Sequence, residues 1–311
     1  MLNKKRKNKS NAVVSELAVP DLLLPGVIVP ERVIPEVTVQ IAQTDNSFDI
    51  TGRSAAVTGI EYACSSHIGT RENQQDYIDA GASVSGVVFG IVCDGMGGLS
   101  GGEVASSTAA QALAEALIKM DPNCDVPAFL TAQAHYVNKL VYDLPFESEG
   151  GIGAGTTIVA AVIVDKNLYW LSIGDSRIYI IRKNEIEIVT RDHSYSMELE
   201  GRVRDGRITA EDAASDPMRD ALISYLGIDD LKIIDCNRNA FILKPGDIIL
   251  LCSDGLYRSL CEADIMDVIQ RHGDDIEECA RVLPLYAYDK SAGSQDNTSV
   301  VLMRYQDGKP V

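Results

Sequence analysis

The chain has 311 residues, of which 46% are hydrophobic, and it carries a formal net charge of −17 at pH 7. This length allows one large domain or two small ones. The acidic balance argues against nucleic acid as a main partner, because phosphate backbones select proteins rich in Lys and Arg.

The apolar segments and the cysteines indicate the cellular compartment of the chain. None of the apolar runs approaches the roughly 20 residues that cross a bilayer, and no continuous apolar segment follows the basic start. We therefore expect neither a membrane span nor a secretory signal. The seven cysteines include no CxxC pair, which indicates reduced thiols and a cytoplasmic location.

Residues 1–57 differ in composition from the rest of the chain. They begin with a basic tip and continue with four prolines spaced five residues apart: Pro20, Pro25, Pro30 and Pro35. This spacing forbids a helix and favours extended segments. Two interpretations stay open: a disordered extension, which the composition favours, and a tether whose aliphatic clusters dock on a partner or on the domain itself. We divide the chain into this N-terminal extension, a globular domain over residues 58–306 and a short tail over 307–311.

Apolar periodicity predicts the elements of the globular domain in chain order. Strands are predicted over 60–65 and 87–93, a loop or short strand over 77–80, and helices over 102–120 and 126–142. Four consecutive strands follow, over 156–164, 168–173, 178–182 and 186–189. The polar segment 191–226 should contain loops and short helices, near 210–214 and 218–225. The last elements are strands over 241–243, 248–252 and 299–304 and helices over 262–270 and 275–290, and Pro284 should kink or end the second helix.

Strands in runs and helices in pairs are typical of an α+β fold, with antiparallel, hairpin-connected sheets and helices on the outer faces. No GxGxxG motif follows a strand and no P-loop motif occurs, which argues against a nucleotide-binding parallel sheet.

Four aspartates stand at the ends of apolar strands, beside glycine or asparagine: Asp94, Asp175, Asp254 and Asp296. One Asp-Gly pair would indicate only a turn, but four such strand ends indicate convergence on one site. Carboxylates suit the hard cations Mg²⁺ and Mn²⁺, whereas the four histidines form no pair with the spacing of zinc ligands. Two such ions can activate a water for attack on phosphorus. Arg71, in a polar loop after the first strand, is the candidate for holding the phosphate, with a structural salt bridge as the alternative.

The order of these motifs resembles one known family. Seven segments are similar to those of the bacterial PP2C-type (PPM) metal-dependent protein serine/threonine phosphatases: GTRENQQD (69–76), VCDGMGG (92–98), GAGTT (153–157), IGDSR (173–177), RDHS (191–194), CSDGL (252–256) and SQDNTSVV (294–301). Of these, RDHS resembles the entry to the family's flap segment. The resemblance covers about residues 58–305. It implies a four-layer αββα sandwich of two antiparallel β-sheets flanked by helices, with the metal site at one end.

The resemblance implies how the ions would be held. Asp94 would bridge two core ions, one of which the carbonyl of Gly95 would also bind. Asp254 and Asp296 would complete the shell of the other ion. Asp175, together with Asp254, would hold a weaker third ion.

Further roles follow from the same resemblance. Arg71 would clamp the phosphate, so that it shares the catalysis with Asp94 and Asp254. Asp76 would orient water molecules on the ions, and Asn297 would shape the turn that aims Asp296. The glycines at 97 and 98 would allow a close backbone approach at the start of the long helix.

Two residues depart from the family pattern. Met96 stands where some members have a histidine that protonates the leaving alkoxide, which leaves the proton donor open. Gln75, beside Asp76, stands where many members have Glu, and this neutral side chain should weaken the affinity for one metal ion.

Residues around these motifs have structural interpretations. Arg177 is expected to hold the Asp175 turn through an ion pair, Ser176 to be a turn hydroxyl, and His193 to be hydrogen-bonded within the structure. Segment 191–226 is expected to be a flap with Gly201 and Gly206 as hinges. Its arginines are either phosphopeptide contacts or part of a solvated face: Arg202, Arg204 and Arg207.

The sequence thus predicts hydrolysis of phosphoserine and phosphothreonine in proteins at a dinuclear Mn²⁺ or Mg²⁺ site, without a covalent intermediate. Phosphorylated proteins and, by analogy, a cognate serine/threonine kinase would be the partners of a monomeric chain. Two alternatives stay open. One is a dedicated regulatory phosphatase for a single partner protein, and the other is a catalytically weak scaffold that acts through its N-terminal extension.

Overall fold

The computed structural model describes residues 40–44, 47–53, 59–97, 101–145 and 154–306. In these ranges the strands are β1 (Gln40–Thr44), β2 (Ser47–Arg53), β3 (Ile60–His67), β4 (Asp76–Ala82), β5 (Val87–Met96), β6 (Gly155–Thr156), β7 (Ile158–Val164), β8 (Asn167–Ile173), β9 (Arg177–Arg182), β10 (Glu185–Ile188), β11 (Asp235–Cys236), β12 (Phe241–Ile242), β13 (Ile248–Cys252) and β14 (Thr298–Tyr305). The helices are α1 (Gly101–Ile118), α2 (Val126–Tyr142), α3 (Tyr195–Arg204), α4 (Ala210–Ser215), α5 (Asp254–Tyr257), α6 (Glu262–His272) and α7 (Ile276–Lys290).

The strands form two antiparallel sheets. The first sheet has the order β1-β2-β3-β14-β13-β9-β10. The second has the order β11-β8-β7-β5-β4, with β12 also paired to β8 and β6 to β5. The last strand of the chain therefore lies in the middle of the first sheet, beside the first strand of the predicted domain.

Strand β5 shows how the layers are held together. Its residues at alternate positions, among them Phe89 and Ile91, belong to a core shared with α1 and α2. Val88 and Val92 belong to a second core, between the two sheets. A third core lies between the first sheet and helices α5 to α7. Because both faces of β5 are buried, the strand is a continuous apolar run rather than an alternating one. The predicted α+β fold of helix, sheet, sheet and helix layers is confirmed.

Helix α7 has nearly the predicted range. It runs unbroken from Ile276 to Lys290 although Pro284 lies inside it, so of the two expected effects, a kink or an end, the end does not occur. The buried face of α7 continues on both sides of the proline, from Cys279 and Leu283 to Ala287. We attribute the continuity to this packing, which outweighs the lost backbone hydrogen bond.

The flap segment differs from its prediction. Residues 218–225 form turns rather than a helix, because their backbone pairs with the loop before α3: Ile223 N–H donates to the carbonyl of His193 at 2.9 Å. Gly201 lies inside α3 and is therefore not a hinge, whereas Gly206 takes a positive φ of 69° in the turn that follows.

Strands β1 and β2 lie within the range assigned to the N-terminal extension. Their backbones form an antiparallel hairpin, and β2 pairs with β3 from Ser47 to Arg53. This pairing places both strands in the first sheet instead of the extension. Residues 1–39 and the predicted tail 307–311 lie outside the described residues. None of the described helices has the length and apolarity that a membrane span requires.

Candidate active site

A cavity of about 320 Å³ opens at one end of the sandwich. The loop after β3, the ends of β5, β8 and β13 and the start of β14 meet there. The cavity is lined by eight of the predicted site residues: Arg71, Gln75, Asp94, Gly95, Asp175, Asp254, Asp296 and Asn297. The ninth, Asp76, is buried behind the cavity and pairs in register with Asp94 across β4 and β5. The structure therefore brings the predicted carboxylates together.

Backbone hydrogen bonds fix the position of Asp94. Its N–H donates to Thr157 Oγ1 at 3.0 Å, and its carbonyl accepts from the Thr157 N–H at 2.9 Å. The neighbouring Gly95 lies against helix α1, where an added Cβ would be 2.2 Å from the carbonyl oxygen of Gly102. Only glycine allows this approach, which holds β5 and the start of α1 together at the cavity.

A glycine also shapes the turn that carries Asp175. Gly174 has a positive φ of 108°, and its N–H donates to Nδ1 of His193 at 3.2 Å. The Tyr257 hydroxyl donates to the Asp175 carbonyl at 3.0 Å. His193 is thus confirmed as a buried, hydrogen-bonded residue, and burial lowers the pKa of its imidazole.

The loop before β14 is held by Asn297. Its side-chain oxygen accepts from the Gln75 N–H at 2.7 Å, and its amide group donates to the carbonyls of Ile68 and Asn73. These bonds tie the loop carrying Arg71 to the loop carrying Asp296. Both loops consequently face the same cavity.

The carboxylates are buried close to one another. The pKa of the Asp94 carboxyl lies well above its ordinary value. Burial is the main cause, and the negative charges of Asp76 and Asp254 add to it. Burial likewise raises the pKa of Asp76 to about 7 and that of Asp175 to about 6. One oxygen of Asp76 accepts from Ser253 Oγ at 2.7 Å, and its Oδ1 is buried without a hydrogen-bond partner among the described residues. Such crowding of buried negative charge favours the binding of cations.

Two arginines supply positive charge in the cavity. The Arg71 guanidinium pairs with Asp296, and Arg258 Nε lies 2.6 Å from Asp254 Oδ2. Arg71 is more than half exposed, so its side chain is accessible from solution.

The described residues contain no group of three or more His, Cys, Asp or Glu side chains that converge on one point. The aspartates line one shared cavity. Divalent ions held there would complete their shells with a backbone carbonyl and water.

Comparison with known proteins identifies the family. A family model for protein phosphatase 2C matches residues 64–283. The chain belongs to the protein phosphatase 2C family. The protein phosphatase PhpP of Streptococcus pneumoniae is 31% identical over 235 residues, which make up 75% of this chain and 92% of PhpP. The serine/threonine phosphatase Stp of Listeria monocytogenes is 34% identical over 220 residues, 68% of this chain and 82% of Stp.

Solved structures agree with this assignment. The serine/threonine phosphatase of S. agalactiae superposes with a TM-score of 0.70 at 30% identity, over 79% of this chain and 100% of that one. The catalytic domain of the serine/threonine phosphatase PstP, solved in complex with two manganese ions, has a TM-score of 0.64 at 30% identity over 80% of this chain and 99% of that one.

Residues beside the predicted site of this phosphatase have structural partners. Arg177 forms a two-point ion pair with Asp192, with Nη2 2.7 Å from the carboxylate, as expected. The Ser176 hydroxyl is buried against Thr157 Oγ1 at 2.8 Å. The flap arginines 202, 204 and 207 do not line the cavity that holds the aspartates.

Sequence reasoning missed three residues of the cavity. Asp220 and Leu222 reach it from the flap segment, and no local pattern marks them. Arg258 reaches it from the end of α5, four residues after Asp254. This i, i+4 spacing was the available signal, because it places both side chains on one face of a helical turn.

With divalent ions removed by EDTA, we expect the chain to become less stable as the pH rises from about 4 to about 7. The raised pKa values of Asp76 and Asp175 mean that the folded chain keeps protons in a range where the unfolded chain, with ordinary values of 3.8, has released them. The stability present at low pH is therefore lost as the pH rises through about 6 and 7. Urea denaturation should show a fall in the free energy of unfolding on the order of 2 kcal/mol.

The control for this measurement is Asp267→Asn, which changes a carboxylate on helix α6 away from the cavity. Its free energy of unfolding should fall with rising pH as much as that of the wild-type chain. The fall should be smaller for Asp76→Asn. Equal stability of the wild-type chain at both ends of the pH range in EDTA would contradict the prediction.

Proposed function

We propose that this chain hydrolyses phosphoserine and phosphothreonine in phosphorylated proteins, with Mn²⁺ or Mg²⁺ as cofactor. The observation that carries the proposal is the meeting of Asp94, Asp175, Asp254 and Asp296 with the exposed Arg71 in one cavity, in a chain of the protein phosphatase 2C family. Crowded carboxylates attract divalent cations, and a guanidinium beside them can hold a phosphate dianion.

The donor set fits hard cations because every candidate ligand is an oxygen. Asp94 and the Gly95 carbonyl would hold one ion, and Asp94, Asp254 and Asp296 the other. The two manganese ions of the related PstP structure support a site for two ions. When bound, such ions supply Lewis acidity and lower the pKa of a water that can attack phosphorus.

The residues of the chain would bind and orient the substrate around that chemistry. Arg71 would exchange its contact with Asp296 for two hydrogen bonds to the phosphate, which fixes phosphorus for in-line attack. Ser253 and Asp76 keep the base of the cavity rigid behind Asp254. Met96 lines the cavity and has no proton to give, so the leaving alkoxide would take its proton from water.

A covalent phosphoenzyme has little support from the cavity. Thr157 carries the one hydroxyl among its described lining residues, and no cysteine lies among them. The Thr157 Oγ1 is engaged with the Asp94 N–H and with Ser176. Direct attack by water is therefore the route that the geometry supports best.

We propose that phosphorylated proteins, a cognate serine/threonine kinase among them, are the partners, and that the chain is monomeric and cytoplasmic. The cysteines support the last point, since all seven are free thiols and four of them are buried.

The proposed function is tested by phosphate release from a phosphothreonine peptide. We expect release with Mn²⁺ and with Mg²⁺ and none with EDTA, because the buried carboxylates need cations before they can activate water. Absence of release with every metal from a folded chain would refute a general phosphatase. It would leave the dedicated regulatory phosphatase and the weakly catalytic scaffold as the remaining interpretations.

A further inference from the structure

Arg258 lies in the cavity between two of its aspartates. Its Nε is 2.6 Å from Asp254 Oδ2, and its Nη2 is 3.7 Å from Asp175 Oδ2. The guanidinium thus contacts the two carboxylates to which the family resemblance assigns a third, weaker ion.

The position of Arg258 is fixed by its own element. It caps the C-terminus of α5, where its N–H donates to the carbonyl of Asp254 at 3.0 Å. The preceding residue, Tyr257, donates to the Asp175 carbonyl and has the Arg177 guanidinium 3.6 Å from its ring centroid on the other side. These contacts direct the side chain of Arg258 toward the two aspartates.

A third carboxylate completes the surroundings of this guanidinium. Asp220 reaches the same cavity from the flap segment and acts electrostatically on Arg258. The permanent positive charge of Arg258 neutralises the three acidic side chains around it. A bound cation would otherwise have to neutralise them. A divalent ion at the same place would face strong repulsion from the guanidinium a few ångströms away.

We propose that Arg258 supplies the positive charge that a third metal ion would supply at Asp175 and Asp254, so that this phosphatase works with two ions. The inference rests on the proposed function, because it assigns the number of ions at that same site. Arg258 is a positioning residue in this scheme: it neutralises and orients Asp254, which in turn faces the core ions.

The test counts the Mn²⁺ ions bound by the full-length chain. Chelator-treated protein is titrated with Mn²⁺, and free Mn²⁺ is measured by electron paramagnetic resonance. We expect two bound ions for the wild-type chain and an additional, weaker one for Arg258→Ala. Arg258→Lys should bind two, because it keeps the charge.

Two further variants make the result specific. The double variant Arg258→Ala with Asp175→Asn should return to two ions, which assigns the additional ion to Asp175. Arg271→Ala removes a comparable i, i+4 ion pair on α6, with Asp267, and should leave the count at two.

Several outcomes would overturn the inference. One is a wild-type chain that binds three ions, and another is a folded Arg258→Ala chain that still binds two. In both cases metal-dependent phosphate release by the wild-type chain would leave the proposed function standing. A folded wild-type chain that binds no Mn²⁺ and releases no phosphate would refute the proposed function and this inference together.

Discussion

Asp94→Asn is expected to remove phosphate release almost completely while the chain stays folded. Asp94 stands at the centre of the acidic cavity, and Asp76, Asp175, Asp254 and Asp296 all act on it. An amide in its place has one acceptor oxygen and no negative charge, so it cannot bridge two cations. We expect a loss of at least about 10³-fold in kcat, or about 4 kcal/mol of transition-state stabilisation.

The same variant should have the opposite effect on stability when EDTA is present. Burial and neighbouring carboxylates raise the pKa of Asp94, which means that ionisation of this carboxyl costs the folded chain stability. Asp94→Asn removes the ionisable group, so its melting temperature in EDTA should exceed that of the wild-type chain. Addition of Mn²⁺ should then raise the melting temperature of the wild-type chain more than that of the variant.

The control is Asp267→Asn on the exposed face of α6, which should change neither phosphate release nor the response to Mn²⁺. If Asp94→Asn kept more than a tenth of the wild-type kcat, Asp94 could not be the bridging ligand. The site assignment would then have to move to the other aspartates.

Gly95→Ala is expected to damage both the fold and the site through a single added methyl group. The added Cβ would lie 2.2 Å from the Gly102 carbonyl oxygen and 2.6 Å from the Gln75 carbonyl oxygen. Both contacts are with backbone, which cannot move aside as a side chain would. Strand β5 and helix α1 would have to separate, at a cost of about 3 kcal/mol in the free energy of unfolding.

This separation should also lower activity, because the carbonyl of Gly95 would move away from its proposed ion. Urea denaturation and phosphate release measured on the same preparation check both effects. The matched control is Gly201→Ala in α3, where the nearest atom lies 3.8 Å from the added Cβ. That variant should be as active as the wild-type chain and slightly more stable, by up to about 1 kcal/mol. Equal stability of Gly95→Ala and wild type would show that β5 and α1 do not need this close contact.

The strand ends of the candidate metal site could be predicted because the pattern that marks them lies within a few consecutive residues. An apolar run followed by aspartate and glycine marks a buried strand that stops at the surface, and this holds for Asp94, Asp175 and Asp254 without knowledge of their neighbours. The structure places all three in one cavity. Asp296, before the last strand, joins them because β14 pairs with β3 and β13 in the middle of the first sheet.

The flap could not be predicted to the same extent. Residues 218–225 have a helix-like composition, yet their backbone bonds go to residues 193–196, which are distant in sequence. Non-local pairing of this kind leaves no periodic pattern. For the same reason the sequence did not reveal that Asp220 lines the cavity.

By itself, the sequence determined the α+β class and the aspartates at the strand ends, because these depend on apolar periodicity or on residues adjacent in the chain. It also carried the family motifs, and the resemblance based on them implied the four-layer architecture. Tertiary structure alone decided which charges meet. Asp76 is hydrogen-bonded by Ser253, Asn297 ties two loops together, and Arg258 contacts Asp175. Electrostatic interactions depend on distance in space, and distances between carboxylates more than a hundred residues apart are set only when the two sheets pack.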